Sequence, residues 1–161
     1  MDIHDARKKF HDLRLRGEAV DPRDLDELWA ALPPVRIEDI LGRWKGSVFA
    51  TGHPGTRQLQ ESRWYGKTFR SVLDAKPLIR YDGNGALYSD TTTANGEASL
   101  WMVEFRGEVT ATMVYDGIPV FDHFKRVDDD TLFGIMNGKG DLLDADGHPL
   151  YFILSTRDDP E

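Results

Sequence analysis

The chain has 161 residues, with 28 acidic against 20 basic side chains for a formal charge of −8, and a hydrophobic share of 40%. That length buries a core without a staple. The lack of any cysteine excludes disulfides, thiolate metal sites and a cysteine nucleophile. An acidic balance also argues against a nucleic-acid partner, because binding phosphate needs a basic face.

The opening Met1-Asp2-Ile3-His4-Asp5 is charged where a signal peptide would turn apolar, and no apolar run approaches the roughly 20 residues of a membrane helix. The expectation is a cytoplasmic protein without stable membrane insertion. Residues 3–16 place Ile3, Ala6, Phe10, Leu13 and Leu15 near one side of a helix that Gly17 ends, with Arg7, Lys8, Lys9, Arg14 and Arg16 mostly on the other. Asp21 reads as the N-cap of a second helix, with Pro22 at its first position and Leu25, Leu28, Trp29 and Leu32 as its buried stripe. Pro33 and Pro34 stop it, and a single turn fits residues 37–41.

From Gly42 the pattern changes to short alternating runs separated by glycine-containing turns such as Asp82-Gly83-Asn84-Gly85, Arg106-Gly107 and Asp116-Gly117. Residues 98–106 set Trp101, Val103 and Phe105 against Glu104 and Arg106. Residues 108–115 set Val109, Ala111, Met113 and Tyr115 against Glu108, Thr110 and Thr112, so the two segments read as a hairpin. Further strands are expected near 43–51, 77–82, 86–91, 119–127, 131–137 and 149–156. The fold class is therefore mainly β: an antiparallel barrel of about eight or more strands preceded by two or three short N-terminal helices. The division expected is a helical segment over 1–35 packed on a barrel over 36–161.

Gly42-Arg43-Trp44-Lys45-Gly46 is a literal GXWXG, placed where a helical turn hands over to the first strand. Trp64-Tyr65-Gly66-Lys67-Thr68-Phe69, Lys76-Pro77-Leu78, the run from Tyr115 to Phe124, and Tyr151-Phe152-Ile153-Leu154 follow in order. Together these resemble the GXWXG domain followed by the uncharacterised domain that accompanies it, over roughly residues 36–157. The resemblance implies a fold more than an activity. Glycines flanking Trp44 leave room for its indole to lie flat as a plug at the barrel mouth. Lipocalins open similarly, with an arginine of the last strand over the ring, and Arg157 stands at the matching place.

Candidate sites are few. His4, His11, His53, His123 and His148 never pair at metal-ligand spacing, so no metal and no cofactor is expected. Gly134-Ile135-Met136-Asn137-Gly138-Lys139-Gly140 is too short for a phosphate loop and lacks the hydroxyl residue after lysine; Asp141–Gly147 lacks the closing carboxylate of a calcium loop. In Asp122-His123-Phe124 one of the two polar residues must point inward, and a buried Asp122 would need Lys67, Arg70 or Arg80 as partner. Trp64-Tyr65-Gly66-Lys67 joins aromatic surface to a cation suited to an anionic headgroup, or forms a packed corner. The first helix is expected to close the barrel mouth as a lid.

The favoured function is a non-catalytic carrier of an apolar small molecule, such as a lipid or fatty acid. Trp44, Phe49, Tyr81, Trp101, Phe105, Met113, Phe124 and Met136 would wall the pocket; Trp64, Tyr65, Lys67, Arg80 and Asp122 would meet the polar end. The alternatives are an enzyme using Asp122 and His123 as an acid–base pair, and an interaction module with a filled core. A homodimer through an exposed strand or the N-terminal helices also fits.

Overall fold

The fold comes from a computed structural model that describes residues 1–158. The carboxylates of Asp2 and Asp21 accept from the backbone N–H groups of Asp5 and Arg23, which starts helix α1 (Ile3–Arg14) and helix α2 (Pro22–Ala31). A 3-10 turn, Ile37–Asp39, then leads into the barrel. Its strands are β1 (Gly42–Val48), β2 (Trp64–Ser71), β3 (Asp74–Tyr81), β4 (Leu87–Ser89), β5 (Ala98–Phe105), β6 (Glu108–Tyr115), β7 (Phe121–Asp128), β8 (Thr131–Asn137) and β9 (Leu150–Asp158), with helix α3 (Pro54–Glu61) between the first two.

The sheet runs in the order β2-β1-β9-β8-β7-β6-β5-β3-β4, and β2 also pairs with β3. That extra pairing closes eight strands into an antiparallel ring, with β4 hanging outside on β3. The ring is thinnest between β3 and β5, which share the single residue pair Ala75 and Ala98, extended by a hydrogen bond from Leu100 N to the Val72 carbonyl at 2.7 Å.

The alternation of each strand feeds two cores, one on either side of the β7–β9 wall. Inside the ring lie Trp44, Phe69, Leu100, Ala111, Met113, Phe124, Leu132, Phe152 and Leu154. Outside it, Val127, Phe133, Ile135, Tyr151 and Ile153 meet Phe10, Leu13, Leu25, Leu28 and Trp29 of the two N-terminal helices. Phe10, Phe49 and Phe133 pack edge to face in this outer core, with centroids 5.1–5.6 Å apart. Lys125 ties α2 to the wall: its side chain is fully buried, and Nζ donates to the Trp29 carbonyl at 2.7 Å and to Glu108 Oε1 at 2.6 Å.

Three expectations need correction. Helix α1 covers the outer face of the wall and not the mouth, because its apolar stripe finds Phe133 and Val127 there. Residues 64–71 form a full strand that the alternation concealed. Register shifts between Trp64 and Gly66 and between Gly66 and Thr68 break the period of two, so Trp64 and Lys67, three apart, both turn inward. Residues 54–61 form α3, started by His53, whose Nδ1 accepts from Gly55 N, and by Pro54. No helix among the described residues is long and apolar enough to cross a membrane.

Candidate functional site

The site begins with glycines that let aromatic rings approach backbone. A Cβ on Gly46 would run into the indole of Trp64, and one on Gly66 would run into the Trp44 carbonyl across the β1–β2 ladder. Gly42 has φ +146°, a conformation open to glycine. The second glycine of the GXWXG run therefore makes room for Trp64 and not for its own tryptophan. Trp44 is fixed otherwise: Nε1 donates to the Ile40 carbonyl at 2.8 Å, and the Arg157 guanidinium lies over its ring at 5.5 Å while donating to the Asp39 carbonyl at 2.9 Å.

Beside Trp64 the inner face of the ring, helix α3 and the adjoining loops line a half-open cavity of about 450 Å³. Trp64, Leu78, Ile118, Val120, Met136, Leu150 and Phe152 make most of its wall apolar, and Leu59 and Gln58 of α3 add to the lining. The loop that carries Thr93 and Ala94 completes the side near β3. Asp90 holds that loop: Oδ1 accepts from Thr92 N and Thr93 N at 2.9 and 3.0 Å, while Oδ2 accepts from Thr93 Oγ1 at 2.6 Å and sits 3.0 Å from Arg80 Nε.

One polar cluster interrupts the apolar wall. Lys67 Nζ lies 2.9 Å from Asp122 Oδ2, and the two side chains are 4% and 2% exposed. Lys67 also donates to the Pro77 carbonyl at 3.3 Å and to Tyr115 Oη at 3.5 Å, and Tyr115 Oη lies 3.5 Å from Asp122 Oδ2. The rings of Phe152, Trp64 and Tyr115 surround the ammonium at 5.3–5.6 Å. All three protons of Lys67 thus face an acceptor, whereas Asp122 Oδ1, equally buried, has no hydrogen-bond partner among the described residues. Burial raises the Asp122 carboxyl above its ordinary range, and the opposing pull of Lys67 only partly offsets this. Burial, reinforced by the Asp122 charge, pushes the Tyr115 hydroxyl well up, so it stays protonated.

The model of the GXWXG protein family matches residues 27–85, and that of a domain of unknown function, DUF4334, matches residues 96–156. A solved structure described as a protein from Thermomonospora curvata is 34% identical, covers 96% of this chain and 99% of its own, and superposes with a TM-score of 0.85. The chain belongs to the GXWXG family. No curated protein matches the sequence significantly.

In this GXWXG barrel the sequence-derived site residues divide into three groups. Trp64, Lys67, Asp122, Met136 and Arg80 line the cavity. Trp44, Met113 and Phe124 face inward but belong to the packed core. The remaining candidates face away. Trp101 is 51% exposed and Tyr81 37%, Tyr65 packs edge-on against Tyr81 at 5.6 Å, and Phe49 lies in the outer core. Phe105 stacks on His123 at 3.9 Å outside the ring. The β5 assignment chose the wrong face, because inward Leu100 pairs with Met113 while the bulkier Trp101 pairs with outward Thr112. Tyr115, on the same face of β6 as Met113, and Leu59, in a segment without a strong apolar pattern, also line the cavity and are not among the sequence-derived candidates.

Asp122 and His123 lie on opposite faces of β7, so they cannot act as an acid–base pair on one substrate. His123 is 1% exposed, its Nδ1 lies 2.8 Å from Thr112 Oγ1 and its Nε2 3.0 Å from Asn137 Nδ2. Burial, aided slightly by Arg106, lowers its pKa to about 4, so the ring is neutral near pH 7. Among the described residues no three His, Asp or Glu side chains gather as a metal site.

Proposed function

We propose that this chain is a non-catalytic binding protein that holds an apolar, lipid-like small molecule inside the barrel. The observation that carries the reading is the cavity itself: about 450 Å³, mostly apolar, with one buried charge pair in its wall. That volume falls in the usual range for small-molecule pockets, and convergent polar groups in an apolar wall are how such pockets fix a ligand's orientation. A filled core is the competing reading, and it has no need of an ammonium and a carboxylate facing the cavity, since apolar residues of similar volume would serve at no loss of stability.

Native mass spectrometry of freshly purified protein, compared with the same sample denatured and extracted with organic solvent, tests the reading. A released lipid-sized species near one per chain supports it. A clean apo mass, together with no thermal shift across a panel of fatty acids, fatty alcohols and phospholipids, refutes it.

A further inference from the structure

We propose that the cavity selects a neutral, apolar ligand that ends in a hydroxyl group, which donates its proton to Asp122 Oδ1. The inference rests on the carrier reading and adds to it the chemistry of the ligand's polar end. Lys67, the cation that invites an anionic headgroup, is already occupied by Asp122 Oδ2, the Pro77 carbonyl and Tyr115 Oη. A carboxylate would bring a second negative charge beside the buried Asp122, and an ammonium a second positive charge beside Lys67; in a low-dielectric wall both are repelled. Arg80 adds no free positive charge, because Asp90 lies 3.0 Å from it. The cavity is therefore balanced in charge.

What Asp122 lacks is a donor to its second oxygen. Asp122 is 1% exposed, lines the cavity, and its Oδ1 has no partner among the described residues, although a buried carboxylate oxygen without one is costly. A hydroxyl supplies one hydrogen bond to a charged acceptor and adds no charge, while the rest of an alcohol meets Leu78, Val120, Met136 and Phe152. An ether of the same size fits the apolar wall equally but has nothing to donate.

The test uses the full chain, and isothermal titration at pH 7.5 with 1-decanol, decyl methyl ether and sodium decanoate. Decanol is expected to bind at least roughly tenfold more tightly than either of the others, the worth of one hydrogen bond to a charged group. The double variant Lys67→Met/Asp122→Val removes the ion pair as a unit and so avoids a stranded charge; in it decanol and the ether are expected to bind alike. If the ether matches decanol in the natural protein, if decanoate binds more tightly, or if the decanol preference survives in the double variant, the hydroxyl assignment is wrong although the carrier reading stands. If none of the three binds, the hydroxyl assignment falls, and the mass-spectrometric test decides the carrier reading separately.

Discussion

Replacing Lys67 with methionine keeps the volume of the side chain and removes only its charge. The Asp122 carboxyl is then left 1% exposed with Tyr115 as its remaining side-chain partner. It must fold protonated, and keeping an ordinary carboxyl neutral at pH 7 costs about 4 kcal/mol. Breaking a buried pair from one side costs roughly 3–5 kcal/mol in general, which agrees. For a chain of this size that corresponds to a fall in Tm of roughly 6–20 °C. Lys67→Met/Asp122→Val is expected within about 1 kcal/mol of the parent or above it, because neither charge is then stranded. Removing Lys67 also raises the folded pKa of Asp122 further, and a raised folded pKa gives stability that is full below the unfolded value and lost as pH rises. The deficit of the single variant should therefore shrink by about 1.4 kcal/mol for each pH unit between 7 and 5. Urea unfolding of the three proteins at pH 5, 6 and 7 measures this. A single-variant deficit below about 1 kcal/mol at pH 7, or one that does not change with pH, refutes the view of a dry, coupled pair.

Gly66→Ala sets a Cβ against the Trp44 backbone carbonyl, which no side-chain rotation relieves, and is expected to cost about 3 kcal/mol, whereas Gly83→Ala meets open space and should stay within about 0.5 kcal/mol. A Tm drop below about 2 °C for Gly66→Ala would count against the close β1–β2 approach. His123, depressed to about 4, should show no ring titration by NMR until well below pH 5. Because its folded pKa is lowered, its contribution is complete above roughly pH 6.5 and lost as pH falls toward 4, and His123→Gln should flatten stability over that window. Lys125→Met removes the bonds to Trp29 and Glu108, and hydrogen exchange should quicken in α2 more than in β7–β9; equal loss in both would contradict a tether.

The barrel was legible because its turns and most of its alternations follow backbone rules that local sequence states. Gly107 with Arg106 at φ +51° marks the β5–β6 turn, and Asp21-Pro22 marks the start of α2, with no need of tertiary context. What stayed hidden depends on partners distant in sequence. The inward turn of Lys67 requires a shift in the pairing of β2 with β3 and a carboxylate 55 residues on, so a strand carrying a buried cation reads in the sequence as a headgroup site or a packed corner. Which side of β5 faces in was equally undetermined by size: Trp101 is the larger residue, but Leu100 fits opposite Met113. Asp122 as the inward member of its pair could be stated only as one of two options, and its neighbour's stack on Phe105 supplies the reason the other option lost.

The narrow β3–β5 join is the place where the barrel opens at least cost. Every other join of the ring is a ladder of three or more residue pairs, while here one residue pair and one further hydrogen bond hold the strands. Local opening of so few bonds is far cheaper than unfolding. In a chain with no cysteine of its own, the facing alanines 75 and 98 are the natural position for a reversible latch.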